Sequence, residues 1–168
     1  MTTWPPVSSI SIEAVSLDLP LLSVVVRLIR IGEIVELISD MTEDDRIAAE
    51  GALLMLLDDA SPMVREAMAQ VFAFSEDAPP AIVHVLAQDQ HAIAALVLEG
   101  SPLFMDVELV DLVATGSDAH QSAIARRRDL PASVSAALAE VGSPQACLEL
   151  VENPEAQLME FSLTRIAQ

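Results

Sequence analysis

Three arginines stand side by side, Arg126, Arg127 and Arg128 in "AIARRRDLP", in a 168-residue chain of formal net charge −18 with eight cationic residues, all arginine. Each guanidinium carries five donors in a planar fork, a shape that suits phosphate or clustered carboxylates. The chemistry the triplet offers is anion or partner recognition, with Arg127 and Arg128 as the candidate contacts. Spacing suggests a structural role for the first member. Arg126 lies 27 residues after Glu99 and 26 before Glu152, so stacked repeats would bring acid, base and acid into one corner as an ion ladder. Each exposed pair in such a ladder contributes only about 0 to 1 kcal/mol, while easing repulsion in an acidic body.

Other residue types that do chemistry are sparse. His84, His91 and His120 invite a metal reading, and His91 and His120 hold similar places in successive units. Adjacent packed helices lie about 10 Å apart, too far for one shared ion, so interhelical or surface histidines are expected. Asp44-Asp45 and Asp58-Asp59 resemble acid/base pairs, but neighbours on a helix point about 100° apart and do not converge on one atom. Cys147, the single cysteine, falls on the apolar face of a helix and reads as a small buried residue. One cysteine excludes an intramolecular disulfide. Phosphate-binding glycine loops, GxSxG and HExxH do not occur, so no cofactor, metal or catalytic residue is expected and a non-enzymatic role follows.

The elements that position these residues are helices. Ser61-Pro62, Ser143-Pro144 and Asn153-Pro154 each set a capping side chain before a proline, whose missing N–H costs nothing in a first helical turn. Thr42 precedes Glu43, Asp44 and Asp45, acids at the positive end of a helix dipole. Gly116 and Gly142 stand where helices end. The pattern predicts helices near 20–40 (with Gly32 as a potential break), 43–59, 62–74, 80–88, 90–99, 103–115, 118–128, 132–141, 144–152 and 154–167. Six methionines, Met41, Met55, Met63, Met68, Met105 and Met159, read as core filling.

Leu86-Ala87, Val113-Ala114 and Leu138-Ala139 recur at spacings of 27 and 25, and Leu56 lies 30 before Leu86. A pair of roughly ten-residue helices cannot close a core alone, so successive pairs must stack. The expected fold is all-α, a short right-handed α-solenoid of HEAT-like helix pairs with an apolar N-terminal helix. Residues 1–19 read as an irregular arm and 20–168 as one helical-repeat domain.

The stretch from "DDASPMVREAMAQ" to "VENPEA", above all Gln121-Ser122-Ala123-Ile124-Ala125-Arg126-Arg127, resembles the bacterial family catalogued as domain of unknown function 2336. The resemblance covers roughly residues 40–160. It implies HEAT-like helical repeats and carries over no catalytic or binding residue.

Charge narrows the partners. Nucleic acid draws affinity from Lys and Arg neutralising phosphates, and an anionic membrane surface requires the same sign; both are disfavoured here. The apolar window 21–38 contains Arg27, Arg30, Glu33 and Glu36, each costing about 2.5 to 3.5 kcal/mol near a bilayer centre, so it reads as a buried or partner-facing helix, with a homodimer through 21–38 as one use. No secretory signal is visible at the start, and a reducing cytoplasmic setting fits. The sequence therefore points to a protein-protein interaction or scaffold module for a basic or amphipathic segment. The alternative is a regulatory module that binds an anionic or phosphorylated ligand through Arg126–Arg128.

Overall fold

A computed structural model describes residues 24–37 and 41–168; the arm expected over 1–19 lies outside them. The described residues form ten helices and no strand: α1 (Val24–Leu37), α2 (Glu43–Leu57), α3 (Pro62–Phe72), α4 (Pro80–Leu86), α5 (His91–Gly100), α6 (Asp106–Thr115), α7 (Asp118–Ala125), α8 (Ala132–Val141), α9 (Pro144–Glu152) and α10 (Glu160–Ile166). Helix starts follow the capping logic of the sequence. The Thr42 side chain accepts from Asp45 N and the Ser143 side chain from Ala146 N, each satisfying one of the four amides left over at a helix start.

Alternate helices pack on one another. One row runs α1, α3, α5, α7, α9; in the other, α2 lies on α4, and α6 on α8 on α10. One apolar core runs between them from Ile31 to Leu150, built from Leu, Ile, Val and Ala with Met68 and Phe72 as its bulkier members. Between α4 and α6 the second row is interrupted. The turn through Ser101–Met105 carries buried Phe104 there, and its ring meets the His84 ring edge-on at 5.1 Å.

Several local expectations are corrected. The first helix runs unbroken through Gly32, and its buried Ile31 and Ile34 face the core. The helix expected at 118–128 stops at Ala125 with Arg126 as its cap, and beyond it Asp129 adopts φ 48° just before buried Leu130. A short polar side chain tolerates this left-handed conformation better than most. No helix starts at Pro154; α10 begins at Glu160. Asn153 instead closes α9, and its Oδ1 accepts from Glu155 N at 3.0 Å in a turn. Among the methionines, Met68 is buried, while Met55, Met63, Met105 and Met159 are exposed. On α2 the core stripe is Ala49, Ala52, Leu53 and Leu56, and at 3.6 residues per turn Met55 falls about 100° from Leu56.

Two glycines test the packing in opposite directions. A Cβ on Gly100 would lie 2.7 Å from Ala73 O, in the unit before, and 2.5 Å from the Phe74 ring. Helix α2 carries Gly51 with open space around its would-be Cβ. Gly100→Ala is therefore expected to destabilise by about 1 to 3 kcal/mol through overpacking, and Gly51→Ala to stabilise by about 0.5 to 1 kcal/mol. Urea midpoints of the two variants check both signs.

Candidate functional site

The arginine triplet sits at the end of α7, the helix buried most completely. Gln121, Ser122, Ala123, Ile124 and Ala125 are all buried, while Ser117 and Asp118 at the start of α7 are exposed, so polar groups packed against the buried run lack ready access to water. Side chains must satisfy them. Gln121, 7% exposed, donates from Nε2 to Val113 O at 2.9 Å and Val141 O at 3.4 Å, while its Oε1 accepts from Ser143 N at 2.8 Å. One amide thus ties the last turns of α6 and α8 to the start of α9.

Arg127 does the equivalent for α5. It is 8% exposed; its guanidinium donates to Leu98 O at 2.9 Å and to Ser101 O. Arg127, read from the sequence as a partner or anion contact, aims these donors at the carbonyl end of α5, where a cation also meets the negative end of the helix dipole. Burial pushes the Arg127 pKa down from its ordinary value, with Asp106 opposing the shift. Asn153 makes a similar arrangement at the end of α7, its Nδ2 donating at 2.8 Å to both Ala125 O and Arg127 O.

Arg126 turns the other way. It donates from Nε to Glu99 Oε1 at 2.9 Å and from Nη1 to Glu149 Oε2 at 2.7 Å. The third member of the ladder is Glu149 rather than Glu152, which lines the cavity beside Arg126 with Asn153 and Pro154. Arg126 caps α7, and its guanidinium meets α9 one turn before Glu152. Burial alone would lower the Arg126 pKa, but the hydrogen bonds to Glu149 and Glu99 outweigh it and hold it above its usual value. For Glu149 burial pushes up, and the bonds from Arg126 and Gln145 bring it below the usual carboxylate range. Arg128 is exposed, with its guanidinium carbon 5.8 Å from the centre of the Phe74 ring, a cation–π distance.

Other arginines follow the same rule. Arg27 pairs with Asp59 at 3.0 Å, Arg65 with Asp89 at 2.5 Å and Arg165 with Glu140 at 2.9 Å. These partners stand 32, 24 and 25 residues apart in sequence, whereas Arg46 stays local on Glu43.

The remaining chemical candidates do not converge. His84 donates from Nδ1 to Pro80 O at 2.7 Å and lies 3.1 Å from Glu108 through Nε2; His120 Nδ1 accepts from Ser117 N at 3.3 Å within a cap; His91 is exposed in the first turn of α5. Among the described residues no three His, Cys, Asp or Glu side chains are placed to hold a metal ion. Asp45 accepts from the Thr42 hydroxyl at 2.7 Å, and Asp59 holds Arg27. Cys147 is half-buried, its thiol 3.6 Å from Leu138 O, and burial pushes its pKa up, away from the reactive thiolate. No described helix is long and apolar enough to cross a membrane.

Two outcomes follow for the joint. Arg127→Ala and Gln121→Ala should each cost about 2 to 4 kcal/mol, because buried carbonyls lose their donors and a cavity opens, whereas Arg128→Ala should stay within about 0.5 kcal/mol; equal urea midpoints for all three would contradict these roles. The folded-state pKa of Glu149 is depressed, so the stability it contributes is present above its unfolded value and is lost as pH falls through the folded one. The stability gap between the wild type and Glu149→Gln should therefore be open at neutral pH and close at acid pH, as read by urea denaturation at each pH.

No curated protein and no solved structure matches the chain significantly. A family model does, over a segment that begins at Ile93 and not near residue 40. Residues 93–168, which hold α5 from its third residue onward and the whole Gln121–Arg127 joint, match the family described as an uncharacterised protein conserved in bacteria (DUF2336).

Proposed function

We propose that the chain is a non-enzymatic interaction or scaffold module: a short right-handed solenoid of HEAT-like helix pairs that presents an acidic helical surface to a basic or amphipathic segment of another protein, in the cytoplasm. The alternation of packed helices, α3 on α5 on α7 on α9 and α6 on α8 on α10, supports the repeat reading.

The observation that carries the functional reading is where the charge goes. Arg27, Arg65, Arg126, Arg127 and Arg165 are directed at groups roughly one unit away within the fold. Glu43, Asp44, Asp58, Glu66, Glu76, Asp77, Asp111, Asp118, Glu152, Glu155 and Glu160 are exposed. Exposed apolar side chains lie among them, including Ile47, Met55 and Met63. Such a surface attracts cations and offers apolar contact, the two demands of a basic amphipathic helix. The anion-binding alternative is not supported, because Arg126 and Arg127 direct their donors into the protein. Self-association through 21–38 is also weakened, since Ile31 and Ile34 turn toward the core.

A fluorescent Leu/Lys amphipathic peptide of about 18 residues, roughly five helical turns, tests this by anisotropy. It is expected to bind, to weaken steeply with added salt, and to bind far better than the same peptide with Glu in place of Lys. Equal affinity for the two peptides, or none for either, would contradict the proposal.

A further inference from the structure

Helix α2 carries apolar side chains on the face it turns away from the core. Its buried stripe is Ala49, Ala52, Leu53 and Leu56. At about 100° per residue, Ile47 stands about 180° around the helix from Leu56 and Leu54 about 160°. The two are 60% and 40% exposed. Because this face lies opposite the core, α3 and α4, packed against α2, leave it open.

Acids surround the pair. Glu43, Asp44 and Asp58 are exposed at the two ends of α2. Half-buried Glu50 stands three residues after Ile47 and four before Leu54, the spacings that make neighbours on a helix surface. Glu50 also lines a cleft of about 330 Å³ together with Arg46, Glu76 and Asp77, and Pro79 and Leu103 supply apolar wall. The one cation of that lining, Arg46, bonds to Glu43 on its own helix. Three carboxylates against one engaged arginine leave the cleft acidic. A long cationic side chain fits such a space, its methylenes along the apolar wall and its charge at the carboxylates.

We infer that the outer face of α2 seats one amphipathic helix of a partner protein, its apolar stripe on Ile47 and Leu54 and a lysine or arginine from the edge of that stripe in the cleft at Glu50, Glu76 and Asp77. Charge selects this occupant. An acidic helix would meet carboxylates along the whole face, and a second copy of the chain would set its own acids against them. The seat rests on the proposed partner reading and gives it a location.

The Leu/Lys peptide tests the location by anisotropy. Ile47→Gln with Leu54→Gln, both at exposed positions, should weaken its binding by about tenfold or more. Glu50→Gln with Glu76→Gln should weaken it by about fivefold and flatten its dependence on salt. Two control pairs remove the same kinds of group elsewhere, Leu148→Gln with Val151→Gln and Glu155→Gln with Glu160→Gln, all exposed, and should leave the affinity unchanged. Circular dichroism checks the fold of each variant, and the carboxylate pair reads the seat by itself if the apolar pair unfolds. Peptide that binds the folded α2 variants as tightly as wild type, or that is weakened as much by the control pairs, would overturn the seat and leave the partner reading standing. Absence of any binding to the wild type would overturn both. Sedimentation of the wild type as a dimer that Ile47→Gln with Leu54→Gln dissolves would give the face to a second copy and overturn the inference.

Discussion

A buried run of helix must have the polar groups packed around it satisfied by something other than water, and in this protein that constraint falls on Gln121–Ala125 of α7. Its eight residues lie between α5 and α9 in their row and also meet α6 and α8. Helix termini leave four amides and four carbonyls without intrahelical partners, and each buried group left unpaired costs about 1 to 3 kcal/mol. Ser117 accepts from His120 N at the start of α7 and Asn153 donates to Ala125 O at its end. Gln121 and Arg127 in turn satisfy groups at the ends of α6, α8, α9 and α5 packed beside it. The polar bonds that make burial of α7 tolerable are thus the same bonds that set the register of the stack.

The charge distribution follows from this arrangement. With eight cations available, guanidinium groups directed at carbonyls and carboxylates roughly one unit away leave most carboxylates facing outward. Partly buried, multiply bonded pairs such as Arg65 with Asp89 and the Asp59 carbonyl hold more than exposed single pairs do. An acidic exterior is therefore linked to the internal stapling.

Much of this was legible in the residues. Thr42 and Ser143 could be read as caps because the capping bond is local, closing within three residues. The helix order could be read because the stripe and the Ser-Pro and Gly punctuation repeat, and the spacing of 27 between Glu99 and Arg126 is the spacing across which their hydrogen bonds form. What could not be read is anything decided by side-chain reach. Glu149 and Glu152 differ by one helical turn, and the Arg126 guanidinium meets the first. Asn153-Pro154 has the form of a helix start, yet Asn153 is drawn to the carbonyls of Ala125 and Arg127 and closes α9 instead. Arg127 has the same side chain as its neighbours in the triplet, and the left-handed turn at Asp129 that accompanies its burial has no glycine to announce it. Gln121 had one available cue, a long amide inside an otherwise small and apolar helix, SAIA, where a buried polar group implies partners.

The central claim is that α7 is the locked element on which the helices packed around it depend. Native-state hydrogen exchange tests it most directly, because it separates local opening from global unfolding residue by residue. The amides of Ser122 to Arg126 are expected to exchange only through global unfolding, with those of α10, at the end of the row, exchanging through smaller openings. Exchange in α7 as fast as in α10, under the same conditions, would contradict the account.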